Sequence, residues 1–158
     1  MELFQNYPLW AAFIAIIFAQ VVKIPISLIV TREFKPNLAF STGGMPSSHS
    51  AAVAALTTGL GIVEGVTSSF FAISCVFSII IMFDATGVRR QAGEQAIVLN
   101  KLIRDFQVFV DGAKEWPNKE GNEKRKELKE LLGHQPIEVF FGGLVGIAIA
   151  FILHEFIY

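Results

Sequence analysis

The sequence predicts an all-α integral membrane bundle with about four transmembrane helices and a polar, partly helical loop between the third and the fourth. Three observations predict it. Of 158 residues 53% are apolar, and the mean hydropathy of +0.52 exceeds what a water-soluble domain of this length carries. The apolar residues come in runs near the roughly 20 that a helix needs to cross the hydrocarbon core. The charges are segregated as well: of the 13 Lys and Arg, every one except Lys23 falls within residues 31–46 or 86–135.

The first span is predicted over about 9–30, a run broken by one charge, Lys23. It reads as a span and not as a cleavable signal, because the residues before it carry Glu2 in place of a basic cluster and no small-residue cleavage pattern follows. Thr31 to Pro46 holds Lys35-Pro36-Asn37 and Gly43-Gly44 and reads as a loop. Ser47 and Ser48 are good N-cap residues for a second helix over 48–63, whose alanines and Gly59 and Gly61 suit close packing, so this span is placed inside the bundle. A turn at Glu64 to Ser69 leads to a Phe- and Ile-rich third span, about 68–84, ended by Asp84.

Residues 86–135 are mainly polar. Within them Gln91 to Val110 carries an apolar stripe (Ile97, Leu102, Ile103, Phe106, Phe109, Val110) suited to a membrane surface, and Glu120 to Leu132 reads as a solvated charged helix. Pro136 opens the last span, about 136–156, with Gly142, Gly143 and Gly146 thinning one side. The whole chain, 1–158, is expected to form one membrane domain. Four spans place both charged loops on one face, and the positive-inside rule makes that face cytoplasmic. Cys75, the single cysteine, excludes an intramolecular disulfide and a thiolate metal cluster. The bilayer is the expected partner, no nucleic acid is expected, and oligomerisation stays open.

Two histidines border the basic face. His49 lies in Gly43-Gly44-Met45-Pro46-Ser47-Ser48-His49-Ser50, where glycines, hydroxyls and a helix N-terminus meet; such a terminus suits an anion, and a histidine there can protonate a leaving oxygen. An ordinary Ser-capped loop is the competing reading. His134 has Glu138 four residues on, so helical geometry reaching back that far would let the carboxylate orient the imidazole as base or nucleophile; equally, Glu138 could compensate the helix dipole while His134 caps it. Lys23, Arg32, Arg89 and Arg90 lie near the same face and could bind phosphate, although Lys23 could instead snorkel to the interface. A metal site would need His49, His134, Asp84, Glu94 and Glu138 to meet by tertiary contact, since no local spacing supports one, and none is assigned.

Three segments resemble the type 2 phosphatidic acid phosphatase superfamily, most closely its small divergent branch of bacteria and plants. Gly43 to Ala51 is similar to the superfamily's Pro-Ser-Gly-His motif with Ser48 in place of the glycine, and Asp84 to Gly93 and Leu131 to Val139 resemble the divergent branch. The resemblance implies His134 as nucleophile forming a phosphohistidine, Glu138 as its orienting acid in place of the usual Asp, His49 as general acid, and Ser47, with Ser48 beside it, as phosphate ligand, with no metal or other cofactor. The chain also departs from the superfamily where two arginines are expected: Val30 stands seven residues after Lys23, and Leu128 six residues before His134.

The leading expectation is therefore a metal-independent membrane phosphatase acting on a lipid phosphate or pyrophosphate, in a bacterial plasma membrane. The alternatives are a non-hydrolytic lipid-phosphate binding or transport protein that retains the anion site, and a structural membrane subunit.

Overall fold

A computed structural model describes residues 5–32, 43–112 and 133–157, and the described residues form five helices: α1 (Tyr7–Thr31), α2 (Ser48–Val63), α3 (Ser69–Thr86), α4 (Val88–Gly112) and α5 (Pro136–Ile157). The predicted charged helix at Glu120 to Leu132 and most of the first loop lie outside them. Local chemistry sets the helix starts. Asn6, Ser47 and Ser68 are the N-caps of α1, α2 and α3, each accepting a backbone N–H three residues on, from Leu9, Ser50 and Phe71.

The third helix does not stop at Asp84. Loss of apolar character at Asp84 marks where lipid contact ends, but the backbone ladder continues to Thr86 and breaks at Gly87, whose N–H still bonds the Phe83 carbonyl. α4 begins directly afterwards, at Val88, earlier than the apolar stripe alone indicated.

α2 is the central element, packed against α1, α5 and α3. Tyr7–Ile29, the stretch starting at Ser69 and Pro136–Phe156 are each long and apolar enough to cross a membrane, whereas α2 is a shorter apolar helix of 16 residues. At 1.5 Å per residue α2 spans roughly 24 Å, against roughly 30 Å of hydrocarbon core. Its C-terminal half lies beside the start of α1, since a Cβ on Gly59 would sit 2.9 Å from Pro8 Cα. Its N-terminus therefore stops near the level of Lys23, whose side chain passes Gly44 just before α2 begins.

The packing inverts the pattern of a soluble protein. Ala11, Ala15 and Ala19 of α1, Ala51 and Ala55 of α2 and Ala150 of α5 form the buried core with Tyr7 and Ile149, while Phe13, Ile17, Phe18, Phe77, Ile80, Phe140 and Phe151 face outward. Lipid solvates large apolar side chains as well as a core does, so small residues are the ones that gain from close helix contact. Side-chain hydroxyls add to the α2–α3 seam: Ser78 Oγ lies 2.8 Å from Thr57 Oγ1 and donates to the Val53 carbonyl. The Tyr7 hydroxyl donates to the Ala150 carbonyl and fastens α1 to α5.

The tightest seam joins α5 to α2. A Cβ on Gly142 would lie 2.4 Å from the Ser47 carbonyl oxygen, and one on Gly146 would lie 2.1 Å from that of Ala51. Gly146→Val is expected to destabilise the protein by about 1–3 kcal/mol or more through overpacking. Thermal unfolding in detergent, with Gly143→Ala as the tolerated control, checks this; an unchanged midpoint for Gly146→Val would refute the assigned contact.

Candidate functional site

The site is built where the N-termini of α2 and α5 meet the C-terminal ends of α1 and α3. The α5–α2 seam sets its frame. The Ser47 N–H donates to the Glu138 carbonyl at 2.9 Å, which ties the segment before α2 to the first turn of α5. From the other side, the His134 N–H donates to the Ala85 carbonyl at 2.9 Å, so the end of α3 holds the backbone of His134 in place. Gly43 passes next to Gly133, whose carbonyl would lie 3.6 Å from a Cβ at Gly43, and Gly133 itself takes a positive φ of 85°. Two loops distant in sequence are thereby brought side by side.

His134 lies outside α5, not on it. The helix starts at Pro136, and Glu138, in its first turn, reaches back to receive both groups that precede the helix. The same oxygen, Oε2, accepts the Gln135 N–H at 3.1 Å and lies 3.0 Å from His134 Nδ1. The cap and the orienting pair, which the sequence offers as alternatives, are thus one arrangement, half of a capping box extended by an imidazole. An ionised carboxylate only accepts, so Nδ1 is the donor of this pair, and in a neutral imidazole so oriented Nε2 carries the lone pair. His134 is 2% exposed, and its Nε2 has no hydrogen-bond partner among the described residues. A buried acceptor in that state costs about 1–3 kcal/mol relative to a bonded one.

His49 stands in the first turn of α2, more exposed than its neighbours, with its ring centroid 6.3 Å from that of His134 and the planes inclined at 60°. Ser47 is the cap of the same helix and is fully buried; its hydroxyl oxygen accepts from Ser50 Oγ at 3.0 Å and from the Ser50 N–H at 3.4 Å. An acceptor of two hydrogen bonds still has its own proton to donate. Ser48 is buried beside it. Ser50 is an addition to the residues read from sequence; its spacing of three from a cap serine is the available signal.

Lys23 is 2% exposed. It continues the four-residue repeat of buried positions Tyr7, Ala11, Ala15 and Ala19, and this register turns it into the bundle instead of out to the interface. Its side chain runs past Gly44, 3.9 Å from a Cβ there, and its ammonium is within electrostatic range of the Glu138 carboxylate. The remaining bases are placed differently. Arg32 ends α1 in a left-handed conformation, φ 55°, with its N–H on the Leu28 carbonyl. Arg90 bonds Glu94 at 3.0 Å on the exposed side of α4. The Arg89 side chain is outside the described atoms. Among the described residues, no three His, Cys, Asp or Glu side chains gather closely enough to hold a metal ion.

The geometry thus assembles, at one end of the bundle, an oriented imidazole, a second imidazole across from it, a capped helix N-terminus and a buried ammonium. Comparison with known proteins gives a consistent picture. The uncharacterized membrane protein YuiD of Bacillus subtilis (strain 168) is 60% identical to the chain over 156 residues, covering 99% of each. No solved structure matches the chain. The sequence matches the divergent PAP2 family over residues 4–149, which span all five helices up to Ile149 in α5 and include every candidate residue named above. On this match and the shared membrane architecture, the chain belongs to the divergent PAP2 family of membrane proteins.

Proposed function

We propose that the protein is a metal-independent phosphatase that removes phosphate from a lipid phosphate or pyrophosphate through a phosphohistidine. The observation that carries this reading is His134: Nδ1 held by Glu138, Nε2 buried and without a partner among the described residues, and His49 facing it across 6.3 Å.

In the proposed sequence the Nε2 lone pair attacks phosphorus, forming an N–P bond as the bond to the leaving oxygen breaks. His49, protonated, gives its proton to that oxygen, which departs as a lipid alcohol or, from a pyrophosphate, as a lipid monophosphate. His49, now neutral, takes a proton from water as the water oxygen attacks phosphorus; the N–P bond breaks, and inorganic phosphate leaves. Glu138 stabilises the imidazole as it becomes positively charged. Lys23 and the donors of Ser47 and Ser48 at the α2 N-terminus neutralise charge on the phosphoryl oxygens. Arg32, Arg89 and Arg90 are assigned the supporting role of drawing the anion to this end of the bundle. By the bias of Lys and Arg this end is cytoplasmic.

A second reading, lipid-phosphate binding or transport without hydrolysis, is favoured by one observation: Val30 and Leu128 stand where the superfamily carries phosphate-binding arginines. Phosphate release from a panel of lipid phosphates, by purified protein with chelator present, separates the two. Release is expected from the wild type and none from His134→Ala at equal folded yield; undiminished release by His134→Ala would remove the proposed nucleophile. Absence of release by folded wild type would leave binding or transport as the function.

Two further variants assign the partners. His49→Gln is expected to slow release by about 10²–10⁴, the usual worth of a positioned general acid. Lys23→Met, which keeps the length and apolar stem of the side chain, is expected to slow it by about 10²–10³. The thermal midpoint is expected to fall in Lys23→Met, since removing one member of a buried charge pair leaves the other uncompensated, so rates are compared at equal folded yield. A rate within twofold of wild type in that variant would show Lys23 to be structural.

A further inference from the structure

α3 and α5 both pack on α2 but touch one another sparsely, and between them lies a groove of about 520 Å³. Ile79, Met82 and Thr86 form its α3 wall and Val139, Gly143 and Ile147 are on its α5 wall. The one hydroxyl among these six is satisfied within its own helix, since Thr86 Oγ1 donates to the Met82 and Phe83 carbonyls. The groove therefore presents a surface with no outstanding demand for water. We propose that it holds the hydrocarbon chain of the lipid whose phosphate is processed at His134, so that substrate reaches the site sideways from one leaflet. The assignment of the phosphate end rests on the phosphatase reading; the groove itself does not.

Position and depth commit the groove to this occupant. One end borders the site, because Thr86 follows Ala85, whose carbonyl holds the His134 N–H, and Pro136, also in the lining, is two residues past His134. From Pro136 to Ile147 the lining follows α5 for roughly 16 Å at 1.5 Å per residue. That is about half of the roughly 30 Å hydrocarbon core, the depth of a single leaflet. The volume falls in the range of about 300–1,000 Å³ usual for small-molecule sites. A molecule with a phosphate head and one long apolar chain matches both ends at once.

Gly143 supplies the argument from sequence. Gly142 and Gly146 are required by backbone contact with α2, but a Cβ on Gly143 would meet Met82 Cε at 3.6 Å, an ordinary contact with the end of a flexible side chain. Helix packing does not demand glycine there, and its effect is to keep the groove open.

The test uses full-length protein in lipid nanodiscs containing phosphatidic acid with a photoreactive diazirine in its chain, comparing wild type with Gly143→Phe. Crosslinks in the wild type are expected at Ile79, Met82 or Ile147, reduced about fivefold or more in the variant. Release from a long-chain phosphate should fall about tenfold or more, in line with the worth of a few methylenes in an apolar pocket, while release from a short water-soluble phosphate ester stays unchanged. Ile79→Trp, at an exposed position on the opposite wall, repeats the test should Gly143→Phe fold poorly. Crosslinks that scatter over Ile17 and Val21 of α1 and ignore both variants would overturn the groove, as would an equal fall for long and short substrates. Variant-sensitive crosslinks in a protein that releases no phosphate from any substrate would uphold the groove and sink the phosphatase reading instead.

Discussion

The contact of α5 with the backbone of α2 at Gly142 and Gly146 is the constraint from which the rest of the arrangement follows. Any side chain at these two positions would occupy the space of the Ser47 and Ala51 carbonyls. With the helix axes held that close, the Ser47 N–H reaches the Glu138 carbonyl, and the first turns of two helices become neighbours. His49 rides on one of these turns and His134 directly precedes the other. A lateral shift of a few ångströms along this seam would part the imidazoles without altering any residue of the site.

The solvent explains why so much small and polar character lies inside. In hydrocarbon, exclusion of apolar surface gives helices no reason to associate, and van der Waals contact together with hydrogen bonding must supply it. The alanine spine of α1 and the Ser78 contacts with α2 serve this end. Lys23 extends the spine by one further step, at the level where the short α2 gives way to the loop. The energetic demand of a buried ammonium is met in part by the Glu138 carboxylate nearby, and an ionisable group at this depth marks that level of the bundle as a candidate site.

Apolar run lengths and turn residues made the helices legible within a few residues, since those properties are local. The end of α3 was less so: hydropathy stops at Asp84, but hydrogen bonding stops at Gly87, and these report different things. The His134–Glu138 pair was visible from its spacing, although through helical periodicity that does not in fact reach His134; the carboxylate folds back to it from the first turn. The approach of His49 to His134 and the support of His134 by Ala85 depend on tertiary contact, and no local pattern encodes them. The role of Lys23 was ambiguous for a related reason. Its register with Ala11, Ala15 and Ala19 is written in the chain, but which face of α1 meets protein and which meets lipid becomes definite only in the assembled bundle. Ser50 was given no role of its own because a serine in the first turn after a cap serine looks like one more helix-start residue.

Glu138 Oε2 closes the first turn of α5 and aligns His134 with the same oxygen. Fraying of that turn and loss of imidazole alignment are consequently a single molecular event. The chain has no means of loosening this helix end while keeping its histidine oriented, so heat that frays this one hydrogen-bonded turn would misalign the imidazole even where the bundle beneath it holds.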